Sequence, residues 1–348
     1  MRHFLHDLRY RAEFALSILP FFIIRNMPFF MIKPCAVFLG RAAWLVPGAK
    51  KIVLANLESA MPELDESERK RIAGKSFIHI AWNLIEFFWA SGNPRRIVRC
   101  YHMPDSVKEA LARHTAAGER VIFVNPHLGS WEASGVVAPF YAGLRMAAIA
   151  KPMKNPYMNK LLNAGGRERT RGLEVIFSRG AMRASISALR SGKSLGTLID
   201  QNTRVRDGGE FVDFFGIPVP SSTAPATLKR YCDAHDIPVV IIYGSCLRLA
   251  DGRNTAHIEY LSKNFSEYAG DREVLQELMA ISEKYIRNDP EQYLWFYKRF
   301  QYIMPGVSDE VRKRYPYYAT DPDSGFFNRT ARKNSRKTQL EPQQEPQQ

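Results

Sequence analysis

The apolar positions of this chain change period part-way along it. In residues 50–92 they recur every three or four positions. Leu54, Leu57 and Met61 share one face, and Phe77, Ile80, Ala81, Leu84, Ile85 and Phe88 continue at helical spacing, so the stretch reads as helix. From about residue 120 short apolar runs alternate with amphipathic stretches. Residues 120–124 (RVIFV), 146–150, 173–177, 194–199 and 238–244 read as strands. Residues 132–141, 157–167, 182–190 and 223–234 read as the helices between them, and 271–287 as one more amphipathic helix. That alternation predicts an α/β fold: a mostly parallel central sheet flanked by helices, with ligands at the carboxyl ends of the strands. The periodicity fades beyond about Pro322, and the closing ARKNSRKTQLEPQQEPQQ has too little apolar content to order itself. The expected organisation is an N-terminal segment over 1–48, an α/β domain over 49–303 and an extension over 304–348, largely disordered after about 322.

The first forty residues follow neither pattern. ALSILPFFII is interrupted by Arg25 and Asn26 and followed by MPFFMIKPCAVFLG. Neither piece reaches the roughly 18–20 apolar residues that cross a bilayer. Pro20, Pro28 and Pro34 are expected to break a continuous helix, and no clean small-x-small cleavage site marks a signal peptide. Phe21, Phe22, Phe29, Phe30 and Trp44 alternate with Arg2, Arg9, Arg11, Arg25, Lys33 and Arg41, the mixture found at membrane interfaces. A helical, membrane-associating region lying on the bilayer surface is expected, against the plainer alternative of a buried hairpin of the core.

Composition narrows the picture. With 348 residues, 45% hydrophobic and 24% charged, the chain is long enough for a sizeable core and too mixed for a disordered or coiled-coil protein. Its formal charge of +14 points to an anionic partner: a membrane surface, a phosphorylated substrate or nucleic acid. Cys35, Cys100, Cys232 and Cys246 are scattered, with no C-x-x-C pair and no His at zinc-ligand spacing, so reduced packing cysteines and no metal site are expected.

The chemistry concentrates in FVNPHLGSWEASG, residues 123–135. His127 follows a strand directly, Gly129 allows a tight turn, and Glu132 lies five residues on where a helix begins. A carboxylate folded back onto an imidazole fixes its tautomer and supports the imidazolium, making the histidine a general base. G-x-S-x-G is absent, so direct attack is indicated: His127 takes a proton from a bound hydroxyl that attacks an activated carbonyl. Spacing alone is weak, since His114 and Glu119 repeat it in LARHTAAGER, where a solvated pair is expected.

H-L-G-S-W-E resembles the H-x4-D/E signature of the glycerolipid acyltransferases, and more of the chain sharpens the likeness. Asp200-Gln201, Phe214-Phe215-Gly216, Ser221-Ser222-Thr223, Pro238-Val239-Val240 and the closing DPEQYLWFYKRF resemble the lipid A biosynthesis lauroyl and myristoyl acyltransferases. The resemblance covers about residues 10–303. It implies acyl transfer from a thioester, normally on acyl carrier protein with acyl-CoA the alternative, to a hydroxyl of a lipid A precursor. It further implies work at the cytoplasmic face of a bacterial inner membrane, with no metal or other cofactor, and it carries the catalytic roles to His127 and Glu132. Asn125-Pro126 before the histidine and Lys151-Pro152, where Arg-Pro is commoner, depart from the family pattern.

Residues 145–206 hold 13 Lys and Arg against three acids, Glu168, Glu174 and Asp200. Lys151, Arg167, Arg169, Arg171, Arg179 and Arg183 are the expected anion contacts, suited to the phosphates of a saccharolipid. Asp200, beside Gln201 at a strand end, is expected to organise those cations or touch acceptor hydroxyls. Two other readings remain at this stage: a relative acting on a different lipid or glycolipid, and a non-catalytic membrane-surface protein. Nucleic acid is not expected, because no helix-turn-helix, zinc or RRM pattern is present.

Overall fold

The computed structural model describes residues 2–91, 93–163, 173–177 and 180–328. Four long helices come first: α1 (Arg2–Asn26), α2 (Ile32–Trp44), α3 (Pro47–Ala60) and α4 (Glu66–Ser91), followed by the single turn α5 (Ile97–Cys100). The α/β region then runs β1 (Tyr101–His102), α6 (Asp105–Ala116), β2 (Arg120–Asn125), α7 (Trp131–Ala142), β3 (Met146–Ala150), α8 (Pro156–Leu162), β4 (Leu173–Phe177), α9 (Ala181–Arg190) and β5 (Ser194–Leu198). The hairpin β6 (Gly209–Phe214) and β7 (Ile217–Ser222) precedes α10 (Ala224–Asp233), β8 (Val239–Arg248), β9 (Asn254–Tyr260) and α11 (Asp271–Asn288). Two short helices, α12 (Asp309–Arg314) and α13 (Ser324–Phe327), lie in the C-terminal segment.

Seven strands form one sheet in the order β1-β9-β8-β2-β5-β3-β4, parallel except where β9 returns antiparallel on β8. The expected α/β architecture is therefore the observed one. Strand β2 sits centrally, and its run VIFV is buried on both faces, as a parallel strand covered by helices must be. Ile122 and Val124 face a core shared with α3, α10 and α11, while Val121 and Phe123 face a second core shared with α6, α7 and the end of α4. The five strands expected from the sequence are present, most to within a residue, although β8 runs on to Arg248.

Several features depart from the sequence expectations. Helix α1 continues through Pro20 instead of stopping there, while Pro28 precedes a 3-10 turn and Pro34 falls in the first turn of α2, where a missing N–H costs nothing. Ser221 and Ser222 close β7 and only Thr223 borders a helix, because Phe215 (φ 55°) and Gly216 (φ 68°) turn the chain into a two-residue hairpin. The helix expected over 157–167 is described only to Leu162. Order continues past Pro322, with Phe326 buried in α13, and the tail expected to be disordered lies outside the described residues from 329 onward.

The N-terminal helices are docked on the domain. Helix α2 lies along α4 so closely that a Cβ on Gly40 would sit 2.6 Å from the Cα of Ile78. Trp44 packs on Phe77, Phe21 on Phe88, and Phe29 on Trp89, yet Leu16, Leu19, Phe22, Phe30, Phe38 and Leu45 stand exposed. No single described helix is long and apolar enough to cross a membrane; the pair Phe29–Trp44 and Pro47–Ala60, bent by 91°, meets that length and composition only together.

Candidate active site

The segment 126–130 between β2 and α7 is held on every side. Gly129 N–H donates to Gln292 O (3.0 Å), Ser130 N–H to Cys246 O (2.7 Å), and Leu294 N–H to His127 O (3.0 Å). From α4, Asn83 Nδ2 donates to Gly129 O at 2.6 Å. Gly129 has φ +60°, and a Cβ there would lie 2.1 Å from Cys246 O, so only glycine lets this loop press against β8. The imidazole that the loop carries is thus presented on a fixed backbone.

That imidazole is bound by Asp200. One carboxylate oxygen accepts from His127 Nδ1 at 2.7 Å and the other from the His127 backbone N–H at 2.8 Å. Both residues are buried, and Asp200 is 2% exposed. Burial alone would push the Asp200 carboxyl up. The charge and the two hydrogen bonds of His127, with the nearby cation Arg299, outweigh it and hold the group below its ordinary value. An ionised Asp200 can only accept, so Nδ1 carries the proton and Nε2 turns its lone pair outward. Gln201 Nε2 lies 3.3 Å from Nε2 and donates to it weakly. With Nδ1 bound to Asp200, Nε2 is the ring nitrogen left to accept a hydrogen bond, and Gln201 covers it.

Arg299 supports this arrangement from below. Buried itself, it donates to Asn202 Oδ1 (2.9 Å) and Pro220 O (3.1 Å) and also to Ser221 Oγ. These bonds pin the segment that follows Asp200 and Gln201. Its burial lowers its own pKa, against the pull of Tyr293 and Asp200.

Glu132 stands in the first turn of α7, beside Trp131, whose ring is 5.4 Å from that of His127. Both Glu132 and Trp131 line a cleft of about 940 Å³, counted to its open mouth, between α6, α7 and one face of the sheet. Its walls are mostly apolar or small, among them Phe123, Met146, Ala148 and Gly196, with Asn125, Glu132 and His257 adding polar groups. The structure thus brings His127, Asp200 and Gln201 together at the carboxyl ends of β2 and β5, and the carboxylate that fixes the imidazole at Nδ1 is that of Asp200, where the sequence pattern pointed to Glu132. The aromatics Phe87 and Trp89 of α4 are core residues, and neither lines the cleft.

The expected anion contacts are only partly described. Lys151, just after β3, and Arg183, on α9, are exposed. Arg167, Arg169, Arg171 and Arg179 lie outside the described residues. Asp200, expected among cations or acceptor hydroxyls, instead gives both oxygens to His127. The four cysteines are free, with Cys100, Cys232 and Cys246 buried. Among the described residues no group of His, Cys, Asp and Glu has the arrangement to hold a metal ion.

Comparison with known proteins gives this geometry its family. The family model for bacterial lipid A biosynthesis acyltransferases matches residues 1–302. The chain belongs to that family. It is 26% identical over 315 residues to the lipid A biosynthesis palmitoleoyltransferase of Escherichia coli K12, covering 86% of this chain and 94% of that protein. The lipid A biosynthesis acyltransferase of Shigella flexneri matches to the same extent. The lipid A biosynthesis lauroyltransferase of Escherichia coli K12 is 26% identical over 295 residues, 82% of this chain and 90% of that protein. As a lipid A acyltransferase family member the chain is an acyltransferase enzyme, and the match stops where α12 and α13 have yet to begin.

Proposed function

We propose that this enzyme moves a fatty acyl chain from an acyl carrier protein thioester to a hydroxyl of a lipid A precursor, with His127 as general base and Glu132 as its catalytic partner. The observation that carries the reading is the 2.7 Å bond from His127 Nδ1 to Asp200, which leaves Nε2 as the ring nitrogen free to accept, beside Trp131, a residue of the cleft wall. The acceptor hydroxyl displaces Gln201 from Nε2 and gives up its proton there as its oxygen attacks the thioester carbonyl. The C–S bond then breaks, and the imidazolium returns the proton to the departing thiolate. Asp200 orients the ring and balances the imidazolium charge. Glu132 faces the same transition state from the first turn of α7, and the apolar cleft behind it takes the acyl chain.

The same proposal sets the enzyme on the cytoplasmic face of the inner membrane, the exposed apolar residues of α1 and α2 lying in the interface. Lys151 and Arg183, with the arginines beyond the described residues, meet the acceptor phosphates. The test is an assay of purified protein with acyl carrier protein thioesters of several lengths and a lipid A precursor. His127→Ala and Glu132→Ala are expected to remove nearly all turnover and keep the thermal melt. Retained activity in either variant overturns that residue's role, and unchanged lipid A in a deletion strain, read by mass spectrometry, overturns the acceptor.

A further inference from the structure

A second pocket lies away from the histidine, where α1 ends and α4 passes into α5. Its wall includes Phe29, Trp89, Asn93, Arg95, Arg96 and Arg99, and among the described residues no acidic side chain lines it. Three arginines around one concavity without a carboxylate repel one another, an arrangement that an anion relieves. Arg96 is fixed as a rigid donor. Its Nη1 bonds Arg25 O (2.6 Å) and Trp89 O (3.0 Å), and its guanidinium stacks on the Trp89 ring at 4.6 Å. Nη1 spends its two protons on those carbonyls, so Nη2 and Nε remain as the forked edge that suits a phosphate. Arg95 and Arg99 are exposed, while Trp89 is anchored through its indole N–H to Met27 O at 2.8 Å.

The surroundings identify what brings the phosphate. Phe29 lines the pocket, and in the chain its lining residues adjoin Phe30, 76% exposed, and Val98, 53% exposed. Phe22 and Ile23, a turn before Asn26, are exposed as well. A cationic cup rimmed by exposed aromatic and branched side chains matches the boundary of a bilayer, where headgroup phosphates lie just above the tails. We propose that Arg95, Arg96 and Arg99 form a binding site for the terminal phosphomonoester of an anionic membrane lipid, which seats this end of the helical region on the bilayer. The site reaches the catalytic loop through α4: Asn83, which holds Gly129 O, is six residues before Trp89, roughly 9 Å along the helix.

The experiment uses the full-length chain and reads binding rather than turnover, so it stands or falls separately from the acyl-transfer reading. Arg95→Gln/Arg99→Gln is compared with wild type by flotation on phosphatidylcholine vesicles carrying either phosphatidic acid or phosphatidylserine, matched for surface potential. Both substituted residues are exposed, and the thermal melt verifies folding. The expected result is a loss of affinity at least about tenfold greater on phosphatidic acid than on phosphatidylserine, because a phosphomonoester turns its unsubstituted oxygens to the arginine fork while the phosphate of phosphatidylserine is a substituted diester. Equal losses on the two surfaces overturn the site, as does an equal loss in the control Arg113→Gln/Arg145→Gln. Inorganic phosphate separates the two sources of the ligand. If it stabilises wild type but not the variant, and vesicle binding is the same for both, the pocket serves a soluble phosphate and the lipid assignment is wrong.

Discussion

Asp200 holds His127 twice, at the ring nitrogen and at the backbone N–H, across 73 residues of sequence. The offset continues the strand ladder: Ile122 pairs with Leu195 and Asn125 with Leu198, so two residues past the last pair His127 meets Asp200. The dyad is therefore built by the register of two adjacent parallel strands.

Replacing that carboxylate tests its part in catalysis. Asp200→Asn keeps the shape and puts an amide against Nδ1, which no longer selects the tautomer with a free Nε2. Turnover is expected to fall by about 10³–10⁴-fold, the cost of the wrong tautomer in analogous dyads, with the circular dichroism spectrum unchanged. Stability should show the linkage too. Because the folded carboxyl titrates below its ordinary value of 3.8, its contribution is present above that pH and is lost as the pH falls through the folded value. The variant should be less stable than wild type near neutrality and close to it in strong acid, as urea titrations would show.

Gly129→Ala is expected to be the most damaging small substitution in the loop. The new methyl would lie 2.1 Å from Cys246 O at a left-handed φ of +60°, so the loop must retreat from β8 and carry His127 with it. A loss of at least 2 kcal/mol in stability, roughly the cost of strain plus a displaced loop, should accompany a fall in kcat. Unfolding midpoints and turnover measured on one preparation decide it, and a variant that keeps both values would show that the loop has slack.

The apolar cleft makes a prediction about chain length. Gly196 on β5 lines it, and a Cβ there meets Met146, Ala147 and Ala148 at 3.7–3.9 Å, an ordinary contact. Gly196→Ala therefore fits without displacing its neighbours and narrows the space proposed for the acyl chain. Competition between short and long acyl thioesters should shift by about tenfold toward the shorter one, one or two methylenes being worth that much in a hydrophobic pocket. An unchanged ratio would place the acyl chain elsewhere.

How far the sequence discloses this site can be followed residue by residue. The apolar run of β2 and the glycine and acid after it mark His127 and Glu132, and the strand-helix alternation predicts the sheet. The partner of Nδ1 is hidden, because strand order is a long-range property and periodicity does not reveal that β5 lies beside β2. The pair His114–Glu119 shows the same limit from the other side. Dismissed on its local surroundings as solvated, it is bonded at 2.6 Å, with His114 Nε2 on Tyr260 Oη at 2.9 Å. It lies before β2 begins, at the end of the strands opposite the loop, which is what separates it from His127. The hairpin of β6 and β7 was concealed for a local reason, since Phe215 takes a positive φ normally left to Asn or Gly.

A half-buried histidine outside the site makes the fold sensitive to acid. His79 of α4 has no hydrogen-bond partner for Nδ1 among the described residues. Burial, reinforced by Arg248, lowers its pKa from 6.5 to about 4. Arg248 cannot turn away, because it is itself buried in an ion pair with Glu86 and a hydrogen bond to Asn83. The folded state thus keeps His79 neutral where the unfolded chain protonates it. Nothing is lost above pH 6.5, and stability falls as the pH drops from there to about 4, by up to about 3 kcal/mol. His79→Leu removes the group and fills similar space, so the stability difference between variant and wild type should grow in the variant's favour across that interval. Urea midpoints at pH 7 and pH 4.5 measure it, and a difference that stays flat would assign the acid sensitivity to other groups.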